Sequence, residues 1–179
     1  MKFFTGDVYN SWYSAYEDDS TLKAAFQHYY QYLEGLEGIL PAHVLMLAQL
    51  PGVDDGLVVE VKHDRNQNVL VLTLRCGDLQ MGYYDLVLQY EEADISSQDE
   101  QTLARIARTT KNNRRHESDL YFHEVDKTED GRIEHRLLFH PGVWFAIRCR
   151  VLYWDKVDRP DQKLPRLKER FPGGPAITL

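Results

Sequence analysis

Residues 57–76 read LVVEVKHDRNQNVLVLTLRC. In the second half, Leu70, Leu72, Leu74 and Cys76 alternate with Val71, Thr73 and Arg75. A repeat of two is the period of a strand, which turns successive side chains to opposite sides. The polar DRNQN at 64–68 separates two such runs, so the stretch reads as a β-hairpin. The next segment, MGYYDLVLQYEEADI at 81–95, continues the pattern, with Tyr84, Leu86, Leu88 and Tyr90 on one face and Asp85, Gln89 and Glu91 on the other. Strands with one apolar and one wetter face belong to an antiparallel sheet lying on a core.

Upstream the period is helical. Val8, Trp12 and Tyr16 recur at i, i+4 and i+8, and Leu22, Phe26, Tyr29, Leu33 and Leu36 form an apolar stripe behind the candidate cap Ser20. Pro41 suits the first turn of a third helix, PAHVLMLAQL, which stops at Pro51 and Gly52. Downstream, Ser97 with Glu100 reads as a capping box for a helix over 97–110. Three further strands follow as DLYFHEVD, RIEHRLLFH and VWFAIRCRVLYW, joined by turns as in a meander. The expected fold is therefore α+β: N-terminal helices (1–52) packed on a curled antiparallel sheet of about six strands (57–154). One helix is inserted between strands three and four, and 155–179 form an extended tail of a single domain.

Composition narrows function mainly by exclusion. At 179 residues one core suffices without a disulfide or metal, and Cys76 and Cys149 show no ligand spacing. The start MKFFTGDVYN lacks the apolar core of a signal peptide, and no window approaches a membrane span, so a cytoplasmic protein away from membranes is expected. A net charge of −7 opposes nucleic-acid binding, the basic run Arg105, Arg108, Lys111, Arg114 and Arg115 notwithstanding, and favours a basic protein partner. No P-loop, dinucleotide fingerprint or nucleophile elbow occurs, so no catalytic residue and no cofactor is assigned.

Three of the seven histidines cluster in DLYFHEVDKTEDGRIEHRLLFH at 119–140. Alternation places Tyr121, His123 and Val125 on one face, and Ile133, His135, Leu137 and Phe139 on one face of the returning strand, with His140 turned away. A metal site on His123 and His135 needs a third ligand, for which Cys149 or His63 is available; the alternative is two neutral rings packed in a sheet. Along the last strand, Trp144, Arg148, Arg150, Leu152 and Trp154 share a parity, either as an interaction surface or as a sheet face covered by a helix.

The order of MKFFT, VLVLTLRC, YYDLVLQYEEADI, YFHEVDKTEDGRIEHRLLF and FAIRCRVLYW resembles an uncharacterised bacterial family of small α+β proteins whose members begin with an MKxFT-like segment. The resemblance spans residues 1–154 and carries no residue roles. In size, charge and architecture the chain also resembles the immunity proteins that neutralise polymorphic toxins. That resemblance implies a non-enzymatic protein-binding module acting on a basic toxin. Glu17, Asp18, Asp19, Glu91, Glu92 and Asp94, with Trp144, Arg148 and Arg150, are its expected contacts. The competing expectation is a small-molecule or metal-binding domain, or an enzyme, with its site at His123, His135 and Cys149.

Overall fold

The computed structural model describes residues 1–14, 20–54, 56–78, 82–111, 119–140 and 142–160. Its elements follow the order α1 (Gly6–Ser14), α2 (Ser20–Glu34), α3 (Ala42–Ala48), β1 (Gly56–Asp64), β2 (Val69–Asp78), β3 (Gly82–Glu91), α4 (Ser97–Lys111), β4 (Asp119–Lys127), β5 (Ile133–Phe139), β6 (Val143–Cys149) and β7 (Val151–Asp158). The strands form one antiparallel sheet in the order β6-β5-β4-β1-β2-β3-β7. The fold is α+β, with α4 inserted between β3 and β4.

The β2–β3 register pairs the alternating apolar residues directly: Leu70 with Tyr90, Leu72 with Leu88, Leu74 with Leu86 and Cys76 with Tyr84. All eight are buried, and each leucine sealed from water contributes about 2 kcal/mol toward offsetting chain entropy. The hairpin between these strands closes at Gly77, whose φ of +93° favours glycine. A Cβ built there would lie 2.0 Å from the Gly82 carbonyl oxygen, a backbone atom without room to retreat. Gly77→Ala is therefore expected to lose about 2–4 kcal/mol, read as a lower urea midpoint at unchanged slope. A loss under about 0.5 kcal/mol would show that the turn re-forms freely.

Two details differ from the sequence reading. The cap of α4 is Ser96, one residue earlier than expected: its hydroxyl accepts from Asp99 N–H at 3.1 Å and donates to Asp99 Oδ2 at 2.7 Å. The last strand also divides in two at Arg150. Phe145, Ile147 and Cys149 are buried before it, and Leu152 is buried after it, so the alternation slips by one residue. The chain bends at Arg150, whose N–H bonds the Glu91 carbonyl at 3.0 Å where pairing passes from β5 to β3. The slip creates the seventh strand, and β7 extends to Asp158, into the region expected to be tail. The remainder of that tail, 161–179, lies outside the described residues.

The division gives the sheet its curl. β6 and β7 stand at opposite ends of the strand order, yet a single residue separates them. Between β1 and β4 the pairing is brief, Gly56 with Leu120 and Leu57 with Asp119. The sheet thus consists of two ribbons, β1-β2-β3-β7 and β4-β5-β6, that meet at this short seam and at the Arg150 corner without closing. Helix α4 lies along β1 and buries Leu103, Ile106 and Ala107. Helix α2 reaches β4, where the Val125 N–H donates to the Tyr29 hydroxyl at 2.7 Å.

Candidate functional site

The 119–140 hairpin closes with Val125 opposite His135 and His123 opposite Leu137, which makes the two histidines diagonal neighbours on the buried side of the sheet. His123 Nδ1 and His135 Nε2 are 3.2 Å apart, and His135 Nδ1 lies 2.8 Å from the Tyr90 hydroxyl. Burial pushes the His123 pKa down to about 4 and that of His135 well below its ordinary value. Two neutral rings therefore share one N–H between them, in a chain that runs to a tyrosine hydroxyl itself sealed from solvent. Cys149 is buried too, with its thiol pushed up by desolvation to about 12.

No three His, Cys, Asp or Glu side chains among the described residues are grouped to hold a metal ion. His63, the other proposed third ligand, instead sets Nδ1 3.1 Å from Glu100 Oε1 on α4. Tyr121 also leaves the histidine face. A bulge between Leu120 and Phe122 turns it toward α1, where its ring meets Tyr9 edge-on at 5.3 Å. His140 points away from His135 as expected and pairs its Nδ1 with the Tyr9 hydroxyl at 2.8 Å.

The opposite face of the same strands carries a charged ladder that alternation contains but composition does not advertise. Glu124 is fully buried, and its carboxylate accepts the successive backbone N–H groups of Lys2, Phe3 and Phe4 at 2.7–3.1 Å. Arg136 stands across from it and bonds Glu124 at 3.3 Å, Asp126 at 3.0 Å and Glu134. Glu134 passes the pairing on to Arg148 Nε at 2.7 Å. Burial alone would raise the Asp126 and Glu134 pKa values. Bonds from Tyr32, the Lys127 N–H and Arg136 outweigh it at Asp126, and bonds from Arg148 and Arg136 do so at Glu134; both are held below the ordinary carboxylate range. An open groove beside the ladder runs between Asp130 and Asp94 over Arg148 and Glu134. Its carboxylates and arginines face one another, which suits structure more than proton transfer.

At the end of the ladder stands β6, an edge strand. Trp144 is 53% exposed and Val143 38%, and the Arg148 side chain is 54% exposed. The expected tryptophan and arginine surface is thus partly realised: Trp144 and Arg148 lie uncovered on β6 and Arg150 at the corner. The slip sends Leu152 into the core, and Trp154 Nε1 donates to the His43 carbonyl at 2.6 Å. The acidic contacts fare differently. Glu17, Asp18 and Asp19 lie outside the described residues. Glu92 faces Arg150 at 3.9 Å, Asp94 exchanges both backbone bonds with Arg148 at 2.7 and 3.0 Å, and Glu91 accepts from Gln89 at 3.1 Å. Of these three carboxylates, that of Glu92 faces an arginine.

The Asp94–Arg148 exchange fixes the direction of the β6 backbone. Arg148 aims its N–H and C=O away from β5, so Ala146 and Trp144, two and four residues earlier, aim theirs the same way. Among the described residues no strand pairs with that side of β6 beyond Arg148. The far side of β7, by contrast, is met by α3, where His43 Nε2–H donates to the Leu152 carbonyl at 2.8 Å. An open strand edge beside an exposed tryptophan is a template for main-chain pairing with another polypeptide. Compared with protein-family models, with curated proteins and with solved structures, the chain matches none.

Proposed function

We propose that this chain is a non-enzymatic protein-binding module that takes up an extended segment of its partner along the open edge of β6. The observation that carries the reading is the pair of backbone units at Trp144 and Ala146 that no strand matches among the described residues, set beside the exposed indole of Trp144. Main-chain bonds would supply affinity, and the indole with the Arg148 guanidinium would select side chains. The net charge of −7 favours a basic partner by speeding encounter. Its likeness in size and charge to immunity proteins makes a cytoplasmic inhibitor of a bacterial toxin the most concrete form of this role. The resemblance of its strand segments to an uncharacterised bacterial family is compatible with that role and adds no residue to it. No helix among the described residues is long and apolar enough to cross a membrane.

Ala146→Pro tests the reading with little collateral damage. The substitution removes an N–H that faces away from β5, and proline is tolerated on an edge strand when its missing donor faces outward. Capture from the native extract with the wild-type chain is expected to yield one stoichiometric protein. The proline variant should retain about tenfold less of it while giving an unchanged circular dichroism spectrum. Equal retention by both would remove β6 from the binding surface.

A further inference from the structure

We infer that, when no partner is present, the open edge of β6 is occupied by the same edge of a second copy, in antiparallel register about Phe145. This rests on the reading of β6 as the binding edge. β7, the strand at the other end of the sheet, is met by α3 at Leu152 through His43 and carries the exposed Lys156 along its remaining length, a residue that discourages edge pairing. The segment from Val143 to Ile147 contains no lysine, proline or glycine, the residues that usually discourage edge pairing.

The register follows from where the edge starts and stops. At one end Arg148 is already bridged to Asp94, and at the other the strand ends at Gly142, with φ of +96°. Between these limits only Trp144 and Ala146 present outward N–H and C=O groups. A dyad at Phe145 sets Trp144 of each copy opposite Ala146 of the other and satisfies all of those groups at once. A register displaced by two residues would leave one unit unmatched or collide with Asp94.

Side chains suit the same register. The largest residue on the strand's outer face lies opposite the smallest, twice over by symmetry. Arg148 stands two residues beyond Ala146, diagonal to the partner copy's indole. Glu134 orients its guanidinium through Nε, so the remaining N–H groups are free to lie against the ring. The overlap is short, below the area of a stable dimer, so the contact is weak and yields to a longer partner strand. Self-pairing thus acts as a reversible cover that a true partner displaces.

Sedimentation velocity on the full chain, from about 1 to about 300 µM, tests this, with a dissociation constant on the order of 10–100 µM expected. Ala146→Pro should stay monomeric throughout, and Trp144→Ala should weaken the dimer about tenfold. Should the proline variant fail to fold, Ala146→Asp sets a strand-disfavouring carboxylate on the edge opposite each indole and is expected to disrupt pairing in its place. A mixture of the W144C and A146C variants should form a disulfide between copies, whereas a different register would not. A chain that stays monomeric at the highest concentration, or a dimer indifferent to both changes at Ala146, overturns the inference. If the chain is monomeric and partner capture still depends on Ala146, self-pairing fails and the binding role stands. If neither depends on Ala146, both fall.

Discussion

Arg136→Leu is expected to lower stability by about 3–5 kcal/mol, the loss typical of breaking a buried ion pair from one side. The guanidinium bonds Glu124, Asp126 and Glu134 together. Glu124 is fully buried and Asp126 nearly so, so neither carboxylate can turn to water once its partner is gone. Three backbone N–H groups would still hold Glu124, which keeps the loss from growing further. Arg148→Leu removes a cation from the same ladder, but its side chain is more than half exposed, and a loss of about 1 kcal/mol or less is expected. Urea unfolding of the two variants at pH 7 separates them. Equal losses would mean that the ladder behaves as a surface ion-pair network in spite of its burial.

The second large effect is a loss of stability in mild acid that begins before the carboxylates titrate. His123 and His135 are buried neutral, so their folded pKa values lie below those in the unfolded chain. Between the ordinary histidine value of about 6.5 and the folded value of about 4 for His123, the unfolded chain binds protons that the native chain refuses. Stability therefore falls as pH drops through that window. His123 alone contributes a loss on the order of 3 kcal/mol by pH 4, with no further loss from it below that. Asp126 and Glu134, whose folded pKa values are depressed, add their loss lower down, as pH falls through the ordinary carboxylate range and then the folded values. A variant carrying His123→Gln and His135→Gln keeps an acceptor for Tyr90 and removes the histidine window. Its unfolding free energy should be nearly flat from pH 7 to 5, where the wild type declines. Parallel curves would show that the histidines bind protons alike in both states.

Alternation carried most of the fold because it is a local signal: the buried faces of β2 and β3 are the residues the period of two selects. The slip at Arg150 was invisible for the same reason. Nothing in VWFAIRCRVLYW breaks the alternation, and the slip arises because the strand must serve β5 with one half and β3 with the other. The facing of His123 and His135 was legible as soon as the hairpin was recognised, but their hydrogen bond needed the register and their link to Tyr90 needed the curl. The ladder was missed although Glu124 and Asp126 alternate with apolar residues. Charged side chains at strand positions usually meet water, and here the backbone of residues 2–4 takes water's place. The surroundings of Glu92 and Asp94 could not be read because Arg150 and Arg148, which meet them, lie far away in sequence.

The corner at Arg150 also bears on how the chain finds its fold. Within β1-β2-β3 and within β4-β5-β6 most pairing joins strands adjacent in sequence, so each ribbon can zip from its own turns on a short search. β7 must instead return to β3 across α4 and the whole second ribbon, and it becomes available only once β6 is in place. The slow step is then the loop closure that brings Val151 beside Glu91. The molecule should form as two quick halves joined by one late clasp.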